Sequence, residues 1–170
     1  LPRPYDLVIN VSPGTSKSTV CSILFPAWCW TRMPECRLLP GSYANDLVLD
    51  LSNKARHVIK SAKYTECFPE ITLRDDQDTK GHYANSLGGE RMTCTVGGKS
   101  PLGRHAHIIL IDDPIDPQEA LSTLLRVEAA RFMIEYIANR KVDKAVTPTV
   151  LIMQRLGVSD PTDAMLGQGK

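Results

Sequence analysis

Two apolar segments that each end in polar, chemistry-bearing residues constrain the fold of this chain most strongly. Residues 7–11 are followed by the loop 12–19 (SPGTSKST), and residues 108–111 are followed by Asp112 and Asp113. Short apolar runs of this kind are typical of buried parallel strands. We therefore expect the loop and the aspartates to follow two strands of one sheet and to share one site.

The loop has the chemistry of a phosphate-binding site. A strand, a tight turn and then a helix over 19–30 would direct backbone N–H groups at phosphate oxygens. Lys17 would neutralise those oxygens, the Ser18 hydroxyl would reach Mg²⁺, and Asp112 would hold the same ion from its other side. The predicted nucleotide-binding residues are Pro13, Gly14, Thr15, Ser16, Lys17, Ser18 and Thr19.

The loop departs from the usual phosphate-loop pattern. G-x-x-x-x-G-K-[ST] has glycine at the positions of Val11 and Ser16, so that only a displaced Gly14 and the Lys-Ser pair remain. A simple surface turn before a helix capped by Ser16 is the alternative. The aspartate pair favours the nucleotide site, because charges at the end of an apolar strand must meet a cation or solvent.

Composition limits the remaining possibilities. A length of 170 residues with 42% hydrophobic content fits one globular domain with a sizeable core. A formal net charge of +1 gives no global basic field, so that a nucleic-acid contact would need a local patch. We expect a soluble protein, because no apolar stretch reaches the roughly 18 residues of a membrane span and no signal peptide is evident.

Cysteine and histidine spacing argues against a structural metal site. The five cysteines lack any C-x-x-C pair, which also disfavours a disulfide scaffold and predicts reduced thiols in a cytosolic protein. His82, His105 and His107 lack the spacing of metal ligands. The missing initial methionine and the polar end of the sequence suggest a fragment of a longer chain.

Strand and helix patterns alternate, which predicts an α/β fold with a parallel sheet. Trp28 and Trp30 are predicted to lie in the core. The remaining predictions are a strand over 37–43 disturbed by Pro40, a helix over 45–62, a hairpin within 82–98, a helix over 117–140 and a last strand over 146–153. The buried stripe of the helix over 117–140 is predicted to consist of Ala120, Leu121, Leu124, Val127, Ala130 and Ile134.

A succession of motifs along the chain resembles the ATPase domain of the large terminase subunit of tailed bacteriophages. In order, the motifs are S-P-G-T-S-K-S-T, F-P-A-W, G-S-Y-A-N-D-L, F-P-E, N-S-L-G-G-E-R, V-G-G-K-S-P-L-G-R, I-I-L-I-D-D-P-I and L-I-M-Q-R-L. The resemblance implies an ASCE-type P-loop NTPase with a mainly parallel central sheet flanked by helices, plus a β-hairpin insertion around 82–98. It implies that residues 1–170 form a single ATPase domain and that the family's C-terminal RNase H-like nuclease domain is absent from this fragment.

The resemblance also implies a function. Such domains hydrolyse ATP with Mg²⁺ to drive double-stranded viral DNA into a procapsid. The implied partners are DNA, further copies of the same chain in a ring (a pentamer), the portal protein and the small terminase subunit, with no membrane partner. The implied location is the cytoplasm of the infected bacterial host.

Site residues follow from the motifs by resemblance. Asp112 resembles the Walker B carboxylate that holds the metal. Asp113, or its rival Glu119, would orient the attacking water; the favoured alternative for Glu119 is an exposed glutamate at a helix start. Gln154 resembles the position that couples loss of the γ-phosphate to neighbouring elements, and its alternative is a simple strand-end amide. Arg104 resembles an arginine presented to the nucleotide of the neighbouring subunit; its alternatives are a solvated side chain or a pair with Asp113. Lys17, in turn, has the alternative of a solvated lysine at a helix start.

Two other functional classes stay open. One is a different P-loop enzyme, such as a helicase-like ATPase, and the other is a non-catalytic ring-assembly module that binds nucleotide weakly or not at all. DNA contact is implied by the resemblance alone. The basic face formed by Lys54, Arg56 and Lys60 and the loops around Lys80 and Lys99 are weak candidates for it, since such charges are usually solvated surface.

Overall fold

A computed structural model describes residues 6–98 and 104–167, which form a mixed α/β structure around one eight-stranded sheet. The strands are β1 (Leu7–Asn10), β2 (Arg37–Ser42), β3 (Leu73–Asp78), β4 (His82–Asn85), β5 (Glu90–Met92), β6 (Cys94–Thr95), β7 (Ile108–Asp112) and β8 (Thr149–Met153). The α-helices are α1 (Phe25–Arg32), α2 (Asn45–Ile59), α3 (Ala62–Cys67), α4 (Thr123–Arg131) and α5 (Pro161–Gly167). None of the helices in the described ranges combines the length and the apolar character needed to cross a bilayer.

The predicted parallel sheet is confirmed. The strand order is β1-β8-β7-β2-β5-β4-β3, with β6 also pairing with β2, and β1, β8, β7 and β2 are mutually parallel. Leu110 and Ile152 pack against α1, α2 and α3 on one face, and Ile109 and Leu151 pack against the α4 region on the other. Helices therefore cover both faces, which is why these strands are continuously apolar.

The β-hairpin is also confirmed, and Pro40 explains why the strand that pairs with β2 is broken into β5 and β6. Strands β4 and β5 pair antiparallel, and β3 extends this part of the sheet as a further strand that the sequence did not predict. Leu38 pairs with Arg91 and Gly41 with Cys94, so that Pro40 lies opposite Thr93, the residue that separates β5 from β6. Because proline has no N–H to donate, a break in the ladder at this point is expected.

The helix after the loop differs from a regular α-helix. Lys17 and Ser18 are already helical, and the helix then continues as a π-helical turn (Thr19–Leu24) and as α1. In an α-helix the carbonyl of Ser22 would accept a hydrogen bond from the N–H of residue 26, which is a proline and has none. The Arg91 side chain donates to this carbonyl over 3.0 Å.

The prediction of one regular helix over 117–140 is wrong. A 3₁₀ turn (Glu119–Leu121) precedes α4, and a π-helical turn (Phe132–Tyr136) and a second 3₁₀ turn (Ile137–Arg140) follow it. Each change of helix type rotates the side chains relative to the predicted phase. Ala120 is buried as predicted, but Leu121, Leu124, Val127 and Ile134 are 86%, 66%, 46% and 38% exposed. The other buried residues are Ala129, Met133 and Ile137.

The prediction that both tryptophans lie in the core is correct for one of them. Trp30 is buried and its indole N–H donates to the carbonyl of Cys36 over 2.9 Å. Trp28 is 55% exposed and stacks on Phe25. Residues two apart on a helix point about 200° away from each other, so that only one of them faces the sheet.

Candidate nucleotide-binding site

The carboxyl ends of β1, β7 and β8 meet at one edge of the sheet, where Asp112 lies beside Ile152 and Asn10 beside Met153. The segments that leave these strands enclose a cleft of about 490 Å³. Its lining residues are Pro13, Gly14, Ser16, Lys17, Ser18, Thr19, Tyr43, Leu47, Asp113, Pro117 and Gln154. The structure thus brings together the two segments that the sequence predicted to share a site.

The loop has two residues in the left-handed backbone region. Gly14 has φ 80° and Ser16, at a glycine position of the usual pattern, has φ 60°. Ser16 therefore keeps the backbone conformation for which that glycine is favoured, and it lacks the extended backbone of an N-cap residue. Thr15 is exposed and does not line the cleft, and its hydroxyl donates to the carbonyl of Ser12 over 2.9 Å. The geometry disfavours the simple capped turn.

Lys17 contacts Asp113 across the cleft. Its Nζ lies 2.5 Å from Oδ1 of Asp113, and the two side chains are only 10% and 30% exposed. The alternative of a solvated lysine at a helix start is therefore wrong. The pair places one cation and one carboxylate at the position where the phosphates of a nucleotide would lie in a P-loop site.

Asp113 is held in a strained conformation by both neighbouring strands. It has φ 46°, which is uncommon for a residue with a side chain. Its N–H donates to the carbonyl of Ile152 over 2.8 Å, and its own carbonyl accepts from the Tyr43 N–H and the Ser42 hydroxyl at 3.0 and 3.3 Å. These bonds fix the direction in which the carboxylate leaves the strand.

Asp112 lies beneath the cleft and is 3% exposed. Its Oδ2 accepts from the Ser22 hydroxyl over 2.6 Å, whereas Oδ1 is buried and has no partner among the residues that the structure describes. Burial raises the pKa of Asp112, Asp113 adds to the rise, and the hydroxyls of Ser22 and Ser18 oppose it. A buried acceptor without a donor is costly unless a cation or water completes it.

The residues around Asp112 fit a magnesium ion. Hard cations of this kind bind one or two carboxylate or hydroxyl oxygens of the protein and take the remaining ligands from water and phosphate. Asp112 and Ser18 supply such oxygens. Within residues 6–98 and 104–167, no group of three or more His, Cys, Asp or Glu side chains could hold a metal ion by itself. A magnesium site of this kind does not need such a group, because water and phosphate supply most of its ligands.

The other predicted site residues lie in different places. Gln154, directly after β8, lines the cleft. Glu119 is exposed and lines a separate cleft of about 170 Å³ that shares Tyr43 with the first. Arg104 pairs with Glu90 through Nη1 and Oε1 at 2.5 Å, near His82, so that its alternative pairing with Asp113 is wrong.

The position of Arg104 follows from the strand register. Glu90 faces Arg37 at the beginning of β2, whereas Tyr43 and the cleft lie beyond the end of the same strand. Arg104 therefore lies near the amino ends of the parallel strands, whereas the cleft of its own chain lies at their carboxyl ends.

Two polar residues of the site were not predicted from the sequence. Tyr43 follows β2 and contacts the cleft; burial raises the pKa of its phenol, and the carboxylates of Asp116, Asp113 and Glu119 raise it further. Ser22 holds Asp112 and lies four residues after Ser18. Because residues four apart share a helix face, this spacing was the one signal in the sequence.

No known protein family matches the chain at the level of sequence, and no curated protein matches it. Solved structures do match. The large terminase of bacteriophage HK97 aligns with 98% of this chain at a TM-score of 0.64 and 12% identity. The large terminase ATPase domain of Thermus phage P74-26 aligns with 94% at 0.65 and 10% identity, and the N-terminal domain of the DNA packaging ATPase from bacteriophage phi29 with 97% at 0.59 and 15%.

The chain has the fold of a phage large terminase ATPase domain. This likeness confirms the predicted α/β fold with a mainly parallel central sheet flanked by helices. The chain spans 33% of the HK97 large terminase, 64% of the Thermus phage structure and 80% of the phi29 structure. The terminase ATPase fold therefore accounts for nearly all of this chain, and the chain covers only part of each matched structure.

Proposed function

We propose that this chain is the ATP-hydrolysing motor domain of a phage large terminase, which drives double-stranded DNA into a procapsid. The observation that carries the proposal is the meeting of Lys17 and the left-handed loop at Ser16 in one cleft, with the buried, half-unpartnered Asp112 beneath it. The terminase ATPase fold supports it. A surface turn would need none of these three features.

The geometry suggests how the residues act on ATP. The amides of the loop and Lys17 bind the β- and γ-phosphates. Ser18 and Asp112 would hold Mg²⁺, which would supply positive charge to the developing negative charge on the phosphates. A phosphate that binds Lys17 takes this lysine from Asp113, and the released carboxylate then points into the cleft. Catalysis of this kind rests on positioning and electrostatics.

Asp113 is the better candidate for orienting the attacking water. It lines the cleft and its backbone is fixed by β2 and β8. Glu119 lies in the adjoining cleft on a short 3₁₀ turn and is exposed. Gln154 lines the same cleft as Lys17, where its amide could sense the γ-phosphate.

The wider assembly belongs to the same proposal. Arg104 would complete the site of a neighbouring copy in a ring, because a guanidinium stays charged and spreads its charge over several oxygens. The ring that we propose is a pentamer. DNA, the portal protein and the small terminase subunit are the other proposed partners. The host cytoplasm is the proposed location.

ATP turnover with Mg²⁺ tests the proposal. Lys17→Ala should lower turnover at least about 100-fold, because no other described cation lines the cleft. Lys54→Ala is the matched control, since Lys54 is 55% exposed and pairs with Asp50 on α2; it should retain turnover within about twofold.

Three outcomes would point elsewhere. Equal turnover of the Lys17→Ala variant and wild type would move the site to another part of the protein. Nucleotide binding with strand separation of duplex DNA would favour a helicase-like ATPase. A folded protein without nucleotide binding would favour the non-catalytic ring-assembly module.

A further inference from the structure

Arg91 is a buried cation that the proposed ATPase mechanism leaves without a role. It lies on β5, is 1% exposed and forms no ion pair among the described residues. Its Nη2 donates to the Ser22 carbonyl over 3.0 Å, whereas Nε and Nη1 are buried without partners in the described part of the chain. Burial lowers its pKa. Burying a guanidinium that has one hydrogen bond is costly. Its presence at this position therefore calls for a physical reason.

Ser22 connects Arg91 to the metal-binding carboxylate. The carbonyl of Ser22 accepts from Arg91, and its hydroxyl donates to Oδ2 of Asp112 over 2.6 Å. Ser22 is itself 2% exposed. The backbone bond and the side-chain bond therefore belong to one fixed residue, and a shift of this residue would move the hydroxyl that orients Asp112.

The helix around Ser22 needs such support. Ser22 lies within the π-helical turn (Thr19–Leu24), and the residue that would donate to its carbonyl in an α-helix is Pro26. π-Helical turns and prolines both loosen the hydrogen-bond ladder of a helix. The Arg91 guanidinium thus supplies a donor to a carbonyl whose α-helical donor position is a proline.

We propose that Arg91 is a positioning residue for Asp112, acting through Ser22, so that strand β5 sets the affinity of the nucleotide site for its divalent cation. This inference rests on the proposed function, because it assumes that Asp112 holds the metal. Among the described residues, Arg91 forms no hydrogen bond with the loop amides or with Lys17. Its removal should therefore weaken metal binding and leave the metal-free affinity for nucleotide unchanged.

Mn²⁺ titration followed by electron paramagnetic resonance, with a non-hydrolysable ATP analogue bound, measures the metal site directly. Arg91→Met should weaken Mn²⁺ binding about tenfold or more, as is usual when a residue that orients a ligand is removed. Arg91→Lys retains one donor and should fall between this variant and wild type. Binding of the analogue in EDTA should stay within about twofold of wild type, since Lys17 and the loop are intact.

Two further variants separate positioning from general destabilisation. Ser22→Ala removes the hydroxyl but keeps the carbonyl, so that it should weaken Mn²⁺ binding by a similar factor. Arg56→Met removes another well-covered arginine, which is 19% exposed and paired with Asp78; it should leave Mn²⁺ binding unchanged. If Arg91→Met does not fold, Arg91→Lys and Ser22→Ala carry the test.

The double variant decides whether Arg91 acts through Ser22 or independently of it. If Arg91 acts through Ser22, then adding Arg91→Lys to Ser22→Ala should weaken Mn²⁺ binding little further. A full additional loss, or wild-type Mn²⁺ affinity in both Arg91 variants, would overturn the inference while leaving the ATPase proposal intact. A wild-type protein that binds no nucleotide would overturn the ATPase proposal, and the inference with it.

Discussion

Ser16 has a backbone conformation that its side chain disfavours, with φ 60° in the loop that lines the cleft. Glycine adopts this conformation without a steric penalty, whereas β-branched residues do not. We expect Ser16→Val to lower the free energy of unfolding by about 1–2 kcal/mol. Ser16→Gly should be neutral or stabilising by up to about 1 kcal/mol, because the relief of strain offsets the added freedom of the unfolded chain.

Urea unfolding of the two variants measures this difference. Ser12→Val and Ser12→Gly serve as a matched pair in the same loop, because Ser12 has no positive φ. If Val and Gly have equal effects at position 16, the left-handed conformation is not what the loop requires.

The buried carboxyl of Asp112 should make the stability of the metal-free protein depend on pH. Burial raises the pKa of this carboxyl, so that the folded state retains its proton to higher pH than the unfolded state. Stability should therefore fall as pH rises from the ordinary value through the raised pKa. Asp112→Asn removes the buried charge, and its thermal midpoint without metal should exceed that of wild type at neutral pH.

Thermal unfolding with EDTA across pH tests this expectation, and Asp50→Asn, at an exposed pair on α2, is the control. A midpoint of Asp112→Asn that is lower than wild type at neutral pH would contradict it. The same variant should lose the midpoint increase that Mg²⁺ and nucleotide give to wild type.

The residues of the site that were predictable are those whose chemistry is local. Lys17 and Asp113 were recognised because each follows an apolar strand, and the structure places both in the cleft. Tyr43 and Arg91 were not recognised, because their roles depend on which strands are neighbours in the sheet. The pair of Lys17 with Asp113 could not be predicted for the same reason.

At the scale of elements, Asp78 links α2 to the end of β3. Arg56 and Lys60 both bind its carboxylate, and they lower its pKa to about 2. A depressed pKa stabilises the fold above the ordinary pKa of 3.8 and loses this effect as pH falls through about 2. Asp78→Asn should therefore cost roughly 1–2 kcal/mol at neutral pH and only a small part of that near pH 2.

Urea unfolding at the two pH values checks this prediction. Asp76→Asn is the control, because Asp76 is 68% exposed in its pair with Arg74 and should have little effect at either pH. A deficit of Asp78→Asn that is the same at both pH values would mean that the ion pairs do not cause it.

The region around α4 predicts opposite effects for similar substitutions. Leu121 and Leu124 are exposed, whereas Ile137 is 1% exposed and packs against Ile109 and Leu151. Leu121→Ala and Leu124→Ala should each change the free energy of unfolding by less than about 0.5 kcal/mol. Ile137→Ala should cost about 2–4 kcal/mol. If the three variants lost equal free energy of unfolding in denaturant, the buried stripe predicted from the sequence would be favoured instead.

Elements were predictable where one pattern ran unbroken. The helix over 45–62 was found as α2 because its apolar positions keep one phase. The region 117–140 was mispredicted because Ser122 ends one turn and begins the next, with its hydroxyl accepting from the N–H of Leu125. Strand β3 (LRDDQD) was missed because its charged residues are not typical of a strand. Among the described residues it pairs on one side only.

At the scale of the whole molecule, the proposed ring predicts complementation between two inactive variants. Arg104→Ala keeps its own cleft, and Lys17→Ala keeps the arginine that a neighbour needs. Each alone should turn over ATP at least about 100-fold more slowly than wild type. Mixed in equal amounts, they should recover roughly a quarter of wild-type turnover, because half of the clefts are intact and half of the neighbours supply Arg104.

The chain that carries both substitutions is the control for this mixture. Added to Arg104→Ala, it should restore no turnover, since it supplies no arginine. Full turnover of Arg104→Ala alone would mean that Arg104 serves only its ion pair with Glu90.

The two edges of the sheet differ in a way that limits how molecules can join. Strand β3 carries Arg74, Asp75 and Asp76 and an irregular register, which oppose the addition of another strand. Strand β1 (LVIN) has no charge and pairs only with β8 among the described residues. Two molecules that joined β1 to β1 would leave only their charged edges outward, so that growth would stop at a pair. A ring therefore requires surfaces other than the sheet edges, in which two different faces of the molecule meet.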